Sequence, residues 1–87
     1  MNMSDFEFDV LDELYFIQSF EALQGNLGCT SDDLAVCLQT LLDKGWIKLA
    51  EPIEDQIVPP VTFNIIQSPI RYHYLISKEG LLAHNSA

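Results

Sequence analysis

Apolar positions recur at helical spacing at the start of the chain. Ser4 and Glu7 form a capping-box pattern, and Val10, Leu14 and Ile17 follow three or four residues apart. This spacing predicts a first helix with one broad apolar face. Three further aromatic residues, Phe6, Phe8 and Phe16, lie in this segment, which is more apolar surface than one helix face requires. We interpret the excess either as core filling or as a contact surface between two copies of the chain.

A short second helix and a tight turn follow. Ser19 is a candidate N-cap, and the helix is expected to span residues 20–24. Gly25 and Asn26 are expected to break it, and Gly28 can adopt the left-handed backbone conformation that turns a helix sharply. The pattern therefore predicts a helix, a tight turn and another helix.

The third helix carries the most regular apolar stripe. Thr30 or Ser31 is expected to cap it, and Asp32 and Asp33 in its first turn suit the positive end of the helix dipole. The stripe consists of Leu34, Leu38, Leu41 and Leu42, with Cys37 beside them. Gly45, which follows a lysine, is the expected C-terminal stop.

Two predicted strands enclose a long connection. Residues 46–49 begin one strand, and residues 71–76 alternate in the way typical of its partner. Residues 50–70 between them contain four prolines and an apolar stretch at residues 61–66. Because a structureless loop of that length is uncommon in a compact domain, we expect 61–66 to form a strand or an ordered arm. That arm would fold over the core or contact a second subunit or partner.

The order of these elements resembles the winged helix-turn-helix superfamily of bacterial transcription regulators. The resemblance is carried by Leu23, by Gly28 at the turn, by Leu34, and by the strings LLDKGWI and YHYLISKEG. Members commonly have a small residue after the leucine of the second helix, where this chain has Gln24. The chain therefore resembles an acidic and atypical member.

The resemblance implies an α+β winged helix in a single domain of 87 residues. Residues 1–49 would form the helical core and the first wing strand, and residues 50–70 a long, proline-containing wing. Residues 71–87 would form the return strand and a short helical turn, with the tail from His84 frayed.

The net charge of the chain disfavours DNA binding, the usual function of the expected fold. Thirteen acidic residues against four Lys and Arg give a net charge of −9, whereas a duplex-binding domain normally presents a basic face. In DNA-binding members the recognition helix meets the bases. The resemblance places there Ser31, Asp32, Asp33, Gln39 and Thr40. Two of these are carboxylates that repel phosphate, and the wing offers no cation between Lys48 and Arg71.

Three functional hypotheses follow. The first is a non-catalytic, regulatory winged-helix module that acts through a protein partner or as a homodimer. Its candidate interface is Phe6, Phe8, Phe16, Phe63 and Ile65. The alternative is a DNA-binding transcription regulator, in which Ser31, Gln39 and Thr40 read the groove. The cations that would hold phosphates are then Lys44, Lys48, Arg71 and Lys78. The third is an acidic mimic of DNA.

Residues that could support catalysis or metal binding are few. Cys29 and Cys37 are predicted to lie about two helical turns apart, beyond disulfide reach, and His73 and His84 stand outside zinc-ligand spacing. The sequence contains no nucleophile elbow and no phosphate-binding glycine loop. We therefore expect no catalysis, metal or cofactor. Reduced thiols and the lack of a signal-peptide pattern favour a cytoplasmic protein.

Overall fold

The computed structural model describes residues 3–51, 57, 65 and 68–87. In this part of the chain, four α-helices and a three-stranded antiparallel sheet form an α+β fold, as predicted. The helices are α1 (Asp5–Glu13), α2 (Phe20–Leu27), α3 (Ser31–Asp43) and α4 (Lys78–Ser86). The strands are β1 (Gln18–Ser19), β2 (Ile47–Ala50) and β3 (His73–Ile76), and a 3-10 turn at Pro69–Arg71 precedes β3.

Helix α1 begins with the predicted capping box. The Ser4 hydroxyl accepts from the Glu7 N–H at 3.0 Å, and the Glu7 carboxylate accepts from the Ser4 N–H at 2.9 Å. Val10 and Leu14 are fully buried. Ile17 lies beyond the end of the helix and is only half-buried, so its place in the helical stripe was predicted wrongly.

Helix α2 is longer than the sequence pattern indicates. It continues through Gly25 and Asn26 to Leu27, so the prediction that these residues break it is wrong. Two contacts explain the extension: Leu27 packs against the core, and the Asn26 side chain donates to Glu13 Oε1 at 2.9 Å. Gly28, with φ of 63°, ends the helix in the left-handed conformation as predicted.

Helix α3 has the predicted boundaries. Thr30 is the N-cap, and its hydroxyl accepts from the Asp33 N–H at 3.1 Å. Lys44 and Gly45 end the helix, Gly45 with φ of 77°. Leu34, Leu38 and Leu41 are fully buried, and Leu42 is half-buried. The leucine stripe therefore packs α3 into the core.

The sheet has the order β1-β3-β2. Strand β2 pairs antiparallel with β3, placing Ile47 opposite Ile76 and Ala50 opposite His73. Strand β1, which the sequence does not reveal, pairs with the other side of β3 through Gln18 and Ser19. The Ile76 N–H donates to Leu14 O at 2.8 Å, tying β3 to the end of α1.

The long connection returns to the core at Ile65. This side chain is 1% exposed and belongs to the main hydrophobic cluster. Ile57 forms an isolated antiparallel bridge with Ala50. The rest of the predicted strand at 61–66, including Phe63, lies outside the described residues.

Helix α4 replaces the short turn and frayed tail that the sequence predicts. It runs for nine residues to Ser86, and the Ser77 hydroxyl caps it by accepting from the Gly80 N–H at 3.0 Å. The same hydroxyl donates to Gly45 O at 2.6 Å. The predicted fraying from His84 is wrong because the His84 ring stacks on Phe8 of α1.

Candidate functional site

The first turn of α3 presents uncompensated negative charge to solvent. Ser31, Asp32 and Asp33 are exposed. A carboxylate in the first turn stabilises a helix by about 0.3–1 kcal/mol through the helix dipole. Helix stability therefore accounts for the two carboxylates, while their exposure makes this end of α3 unfavourable for a phosphate backbone.

Of the three neutral side chains predicted to read bases, Ser31 is exposed, whereas Gln39 and Thr40 make hydrogen bonds within the protein. Gln39 Oε1 accepts from the Ile65 N–H at 2.7 Å, and its Nε2 donates to Asp43 Oδ1 at 2.9 Å. Thr40 Oγ1 donates to Val36 O at 3.0 Å, within the helix. Reading a base edge with Gln39 would require breaking the contact that holds Ile65.

The four cations lie on different elements. Lys44 Nζ pairs with Glu7 Oε2 at 2.8 Å and lies 4.6 Å from the centroid of the Trp46 ring. Lys48 lies on β2, and Lys78 lies in the first turn of α4. The Arg71 guanidinium lies 5.6 Å from the centroid of the Tyr72 ring. The cation at the end of α3 is therefore already paired with a carboxylate.

A groove of about 620 Å³ runs between α1, the α2–α3 turn and α3. Phe6 and Leu27 contribute apolar surface from one side, and Val36 does so from α3. Asp33 and Thr40 line the same wall as Val36, because residues three and four apart share a helix face. Val36 is 55% exposed, so the groove leaves apolar surface in contact with water.

Glu7 and Lys44 also line the groove. Burial alone would raise the pKa of Glu7, but hydrogen bonds from Lys44 and from the Ser4 backbone, with the nearby positive charge, lower it. Glu7 therefore stays ionised beside Lys44. The pair tethers α1 to the end of α3.

Both cysteines line the groove as free thiols. Burial, followed by the charge of Glu7, raises the pKa of the Cys37 thiol to about 12. Cys37 therefore remains neutral at physiological pH and behaves as a small apolar side chain. Cys29 is half-buried in the turn.

The candidate interface residues are dispersed. Phe6 lines the groove, Phe8 stacks on His84 with ring centroids 4.2 Å apart, and Phe16 is 78% exposed. Ile65 is 1% exposed and belongs to the protein's own core, which fits the alternative in which the arm folds over the core. The Ile65 N–H donates to Gln39 Oε1. Phe63 lies outside the described residues.

A side-chain cluster between α1 and α4 has no signal in the sequence. The His84 side chain is 9% exposed, its Nδ1 lies 2.8 Å from Tyr15 Oη, and its Nε2 lies 3.6 Å from Asp12 Oδ1. Tyr15 Oη also donates to Asn85 Oδ1 at 3.2 Å. Tyr15 is 69 and 70 residues away from these two partners along the chain, so only the fold brings them together. The cluster fastens α4 to α1.

Across the described ranges, no group of three or more His, Cys, Asp and Glu side chains is placed to hold a metal ion. In the same part of the chain, no helix has both the length and the apolar character needed to cross a membrane. No protein-family model matches the chain, and no curated protein or solved structure shows significant similarity to it.

Proposed function

We propose that this chain is a non-catalytic, regulatory winged-helix module that acts through protein contacts and does not read duplex DNA directly. The proposal rests on two features of α3, the helix that would be the recognition helix: an internal hydrogen bond of Gln39 and an acidic first turn. The Gln39 side chain accepts a hydrogen bond from the backbone N–H of Ile65, and the exposed first turn of α3 is acidic. A surface of this kind suits a basic protein partner and disfavours phosphate.

The order of elements supports the winged-helix part of the proposal. Helices α2 and α3 flank a tight turn at Gly28, and β2 and β3 form an antiparallel pair on either side of the long connection. In the proposed fold, that pair would be the wing. The α+β class alone does not specify this fold, so topology and the turn together support it.

The distribution of charge supports the protein-contact part. Non-specific DNA affinity comes chiefly from Lys and Arg that displace condensed counterions from phosphates. Here the cation at the end of α3, Lys44, is paired with Glu7 at 2.8 Å, and the net charge is −9. Phe16, exposed to 78%, offers an apolar contact for a partner or a second copy.

One experiment separates the proposal from its competitors. Binding to random-sequence duplex DNA is measured by fluorescence anisotropy at low and moderate salt, while light scattering gives the oligomeric state. We expect no duplex binding in the micromolar range. A dimer without duplex binding would support contacts between two copies of the chain, and a monomer without duplex binding would support contacts with a different protein. Micromolar or tighter binding with a steep salt dependence would instead identify a DNA-binding regulator.

The third hypothesis, an acidic DNA mimic, is tested by competition. A mimic displaces duplex from an unrelated basic DNA-binding protein at stoichiometric concentration, and the displacement weakens as salt is raised. We expect no such displacement. In the described part of the chain the exposed carboxylates include Asp9 on α1, Glu21 on α2 and the adjacent Asp32 and Asp33 on α3, and the groove with its apolar surface lies between α1 and α3.

A further inference from the structure

We infer that the groove between α1 and α3 binds an arginine- or lysine-bearing segment of a partner protein. The inference rests on the proposed function, since it names the partner chemistry of a protein-contact surface. It begins from the shape of the site: apolar surface from Phe6, Leu27 and Val36 lines a groove of about 620 Å³. That volume lies in the range of ligand-binding clefts, which is about 300–1,000 Å³.

The polar groups on the α3 wall of the groove select a hydrogen-bond donor. Asp33 is an exposed carboxylate and only accepts hydrogen bonds. Thr40 uses its hydroxyl proton on Val36 O, so its oxygen is left to accept as well. A ligand that meets this wall is favoured if it carries several N–H donors, as guanidinium and ammonium groups do.

The charge of the groove favours the same ligand. Glu7 and Lys44 form an ion pair of 2.8 Å within the groove lining. Asp33 is then left as the uncompensated charge among the groove's described lining, and Asp32 lies next to it on the first turn. The net charge of −9 attracts cations toward the surface and repels anions.

The apolar surface distinguishes a basic side chain from a simple cation. Arginine and lysine pack their methylene stems on apolar groups while the charged head stays at the polar rim. Val36 lies one helical turn from both Asp33 and Thr40, so a stem on Val36 brings the head within reach of either acceptor. Cys37 is 7% exposed and lines the groove as a neutral thiol, adding no competing charge.

The test uses a short capped peptide of alternating arginine and leucine, with the matched glutamate and leucine peptide as control. Each is titrated into isotopically labelled protein while amide chemical shifts are followed by NMR. We expect saturable shifts confined to the groove residues with the arginine peptide alone. Shifts spread over other acidic surfaces, or equal binding of the glutamate peptide, overturn the inference.

Two matched variants separate the groove from general charge attraction. Val36→Arg and Leu82→Arg each add one positive charge at an aliphatic site of similar exposure, 55% and 61%. We expect Val36→Arg to lower the affinity for the arginine peptide about tenfold. Leu82→Arg should change that affinity by about twofold or less. Equal weakening by both contradicts a groove site. Asp33→Asn, which keeps the side-chain shape, should weaken binding and reduce its salt dependence.

The outcomes for the groove and for the proposed function are distinguishable. Tight duplex binding by the native protein rejects the protein-contact proposal whatever the peptide does. Absence of peptide binding together with absence of duplex binding rejects the groove site and leaves the wider proposal in place.

Discussion

The side-chain amide oxygen of Gln39 accepts a hydrogen bond of 2.7 Å from the backbone N–H of Ile65, which lies 26 residues further along the chain. The other end of the amide donates to Asp43 Oδ1 at 2.9 Å, which fixes the orientation of the side chain. Since Ile65 is 1% exposed, an unmet N–H at this position would be buried and costly. Gln39 therefore joins the long connection to α3.

Gln39→Ala should lower the free energy of unfolding by about 1–2 kcal/mol, because the buried Ile65 N–H loses its acceptor. Chemical denaturation followed by circular dichroism measures the change. Thr40→Ala on the same helix is the control: Thr40 is exposed and its hydroxyl donates within α3, so its effect should stay within about 0.5 kcal/mol. Equal effects of the two substitutions would contradict the tethering role of Gln39.

Gly80 allows α4 to approach Trp46 closely. A Cβ at this position would overlap Trp46 O and lie 2.8 Å from Ile76 Cγ1. Gly80→Ala should therefore destabilise the protein by about 1–3 kcal/mol or displace α4. Gly25→Ala is the matched helical control, because nothing lies within 4 Å of the position that its methyl group would take.

Gly25→Ala should stabilise the protein by about 0.5–1 kcal/mol, since alanine restricts the unfolded chain and favours helix. Thermal melts of both variants measure the two effects. A melting temperature for Gly80→Ala at or above that of the native protein would show that α4 does not pack on Trp46 in this way.

The Glu7–Lys44 pair predicts a specific dependence of stability on pH. The pKa of Glu7 is lowered in the folded protein from its ordinary value of 4.5, so its ionised form favours folding. The contribution is fully present above pH 4.5 and is lost as the pH falls through the lower folded pKa. Glu7→Gln keeps a side chain compatible with the capping box, so it isolates the charge.

We expect Glu7→Gln to lower the free energy of unfolding by about 1–2 kcal/mol at about pH 7 and to have a smaller effect at about pH 3, below the ordinary pKa of 4.5. A double-mutant cycle with Lys44→Met, measured by urea denaturation at both pH values, gives the coupling free energy between Glu7 and Lys44. The coupling should be favourable at neutral pH and shrink in acid. A coupling that is unchanged between the two pH values would assign the effect to packing.

The two thiols should differ in reactivity. Burial raises the pKa of Cys37 to about 12, and the thiolate is the nucleophilic form, so Cys37 should resist alkylation at about pH 8. Cys29, half-buried in the turn, should be labelled first. Timed labelling with iodoacetamide and mass spectrometry of the peptides checks the order. Cys29→Ser should leave native protein almost unlabelled, while denaturant exposes Cys37; rapid native labelling of Cys37 would contradict its burial.

Sequence patterns predict those helix boundaries that are set by residues close together in the sequence. Ser4 and Glu7 form their capping box across three residues, and the turn at Gly28 requires only the glycine's own backbone freedom. Helix α2 exceeds its predicted end because tertiary packing of Leu27 outweighs the cost of Gly25, about 1 kcal/mol relative to alanine.

Contacts between distant residues explain what the sequence does not reveal. Strand β1 is two residues long and exists because β3 offers it an edge. Helix α4 extends past His84 because that ring stacks on Phe8 and meets Tyr15. At the candidate site, residue types identify the acidic start of α3. The hydrogen bond between Gln39 and Ile65 joins residues 26 positions apart, so no local pattern predicts it.

Charge reversal at the start of α3 tests whether shape or electrostatics keeps this chain from DNA. Asp32→Lys combined with Asp33→Lys changes the net charge from −9 to −5, since each substitution adds two positive charges. Thr30 still caps the helix, but lysines at the positive end of the dipole should reduce stability by about 1–2 kcal/mol in total. If α3 has the shape of a groove-binding helix, the variant should gain salt-dependent affinity for random duplex DNA.

The matched control places the same charge elsewhere. Asp9→Lys on α1 with Glu79→Lys on α4 gives an equal net charge without altering α3. We expect the α3 variant to bind duplex more tightly in fluorescence anisotropy than this control. Equal affinities would mean that net charge alone governs the interaction. Because Gln39 remains tied to Ile65 in both proteins, the gained affinity should be independent of DNA sequence, and sequence preference in the α3 variant would show that its neutral side chains reach the bases after all.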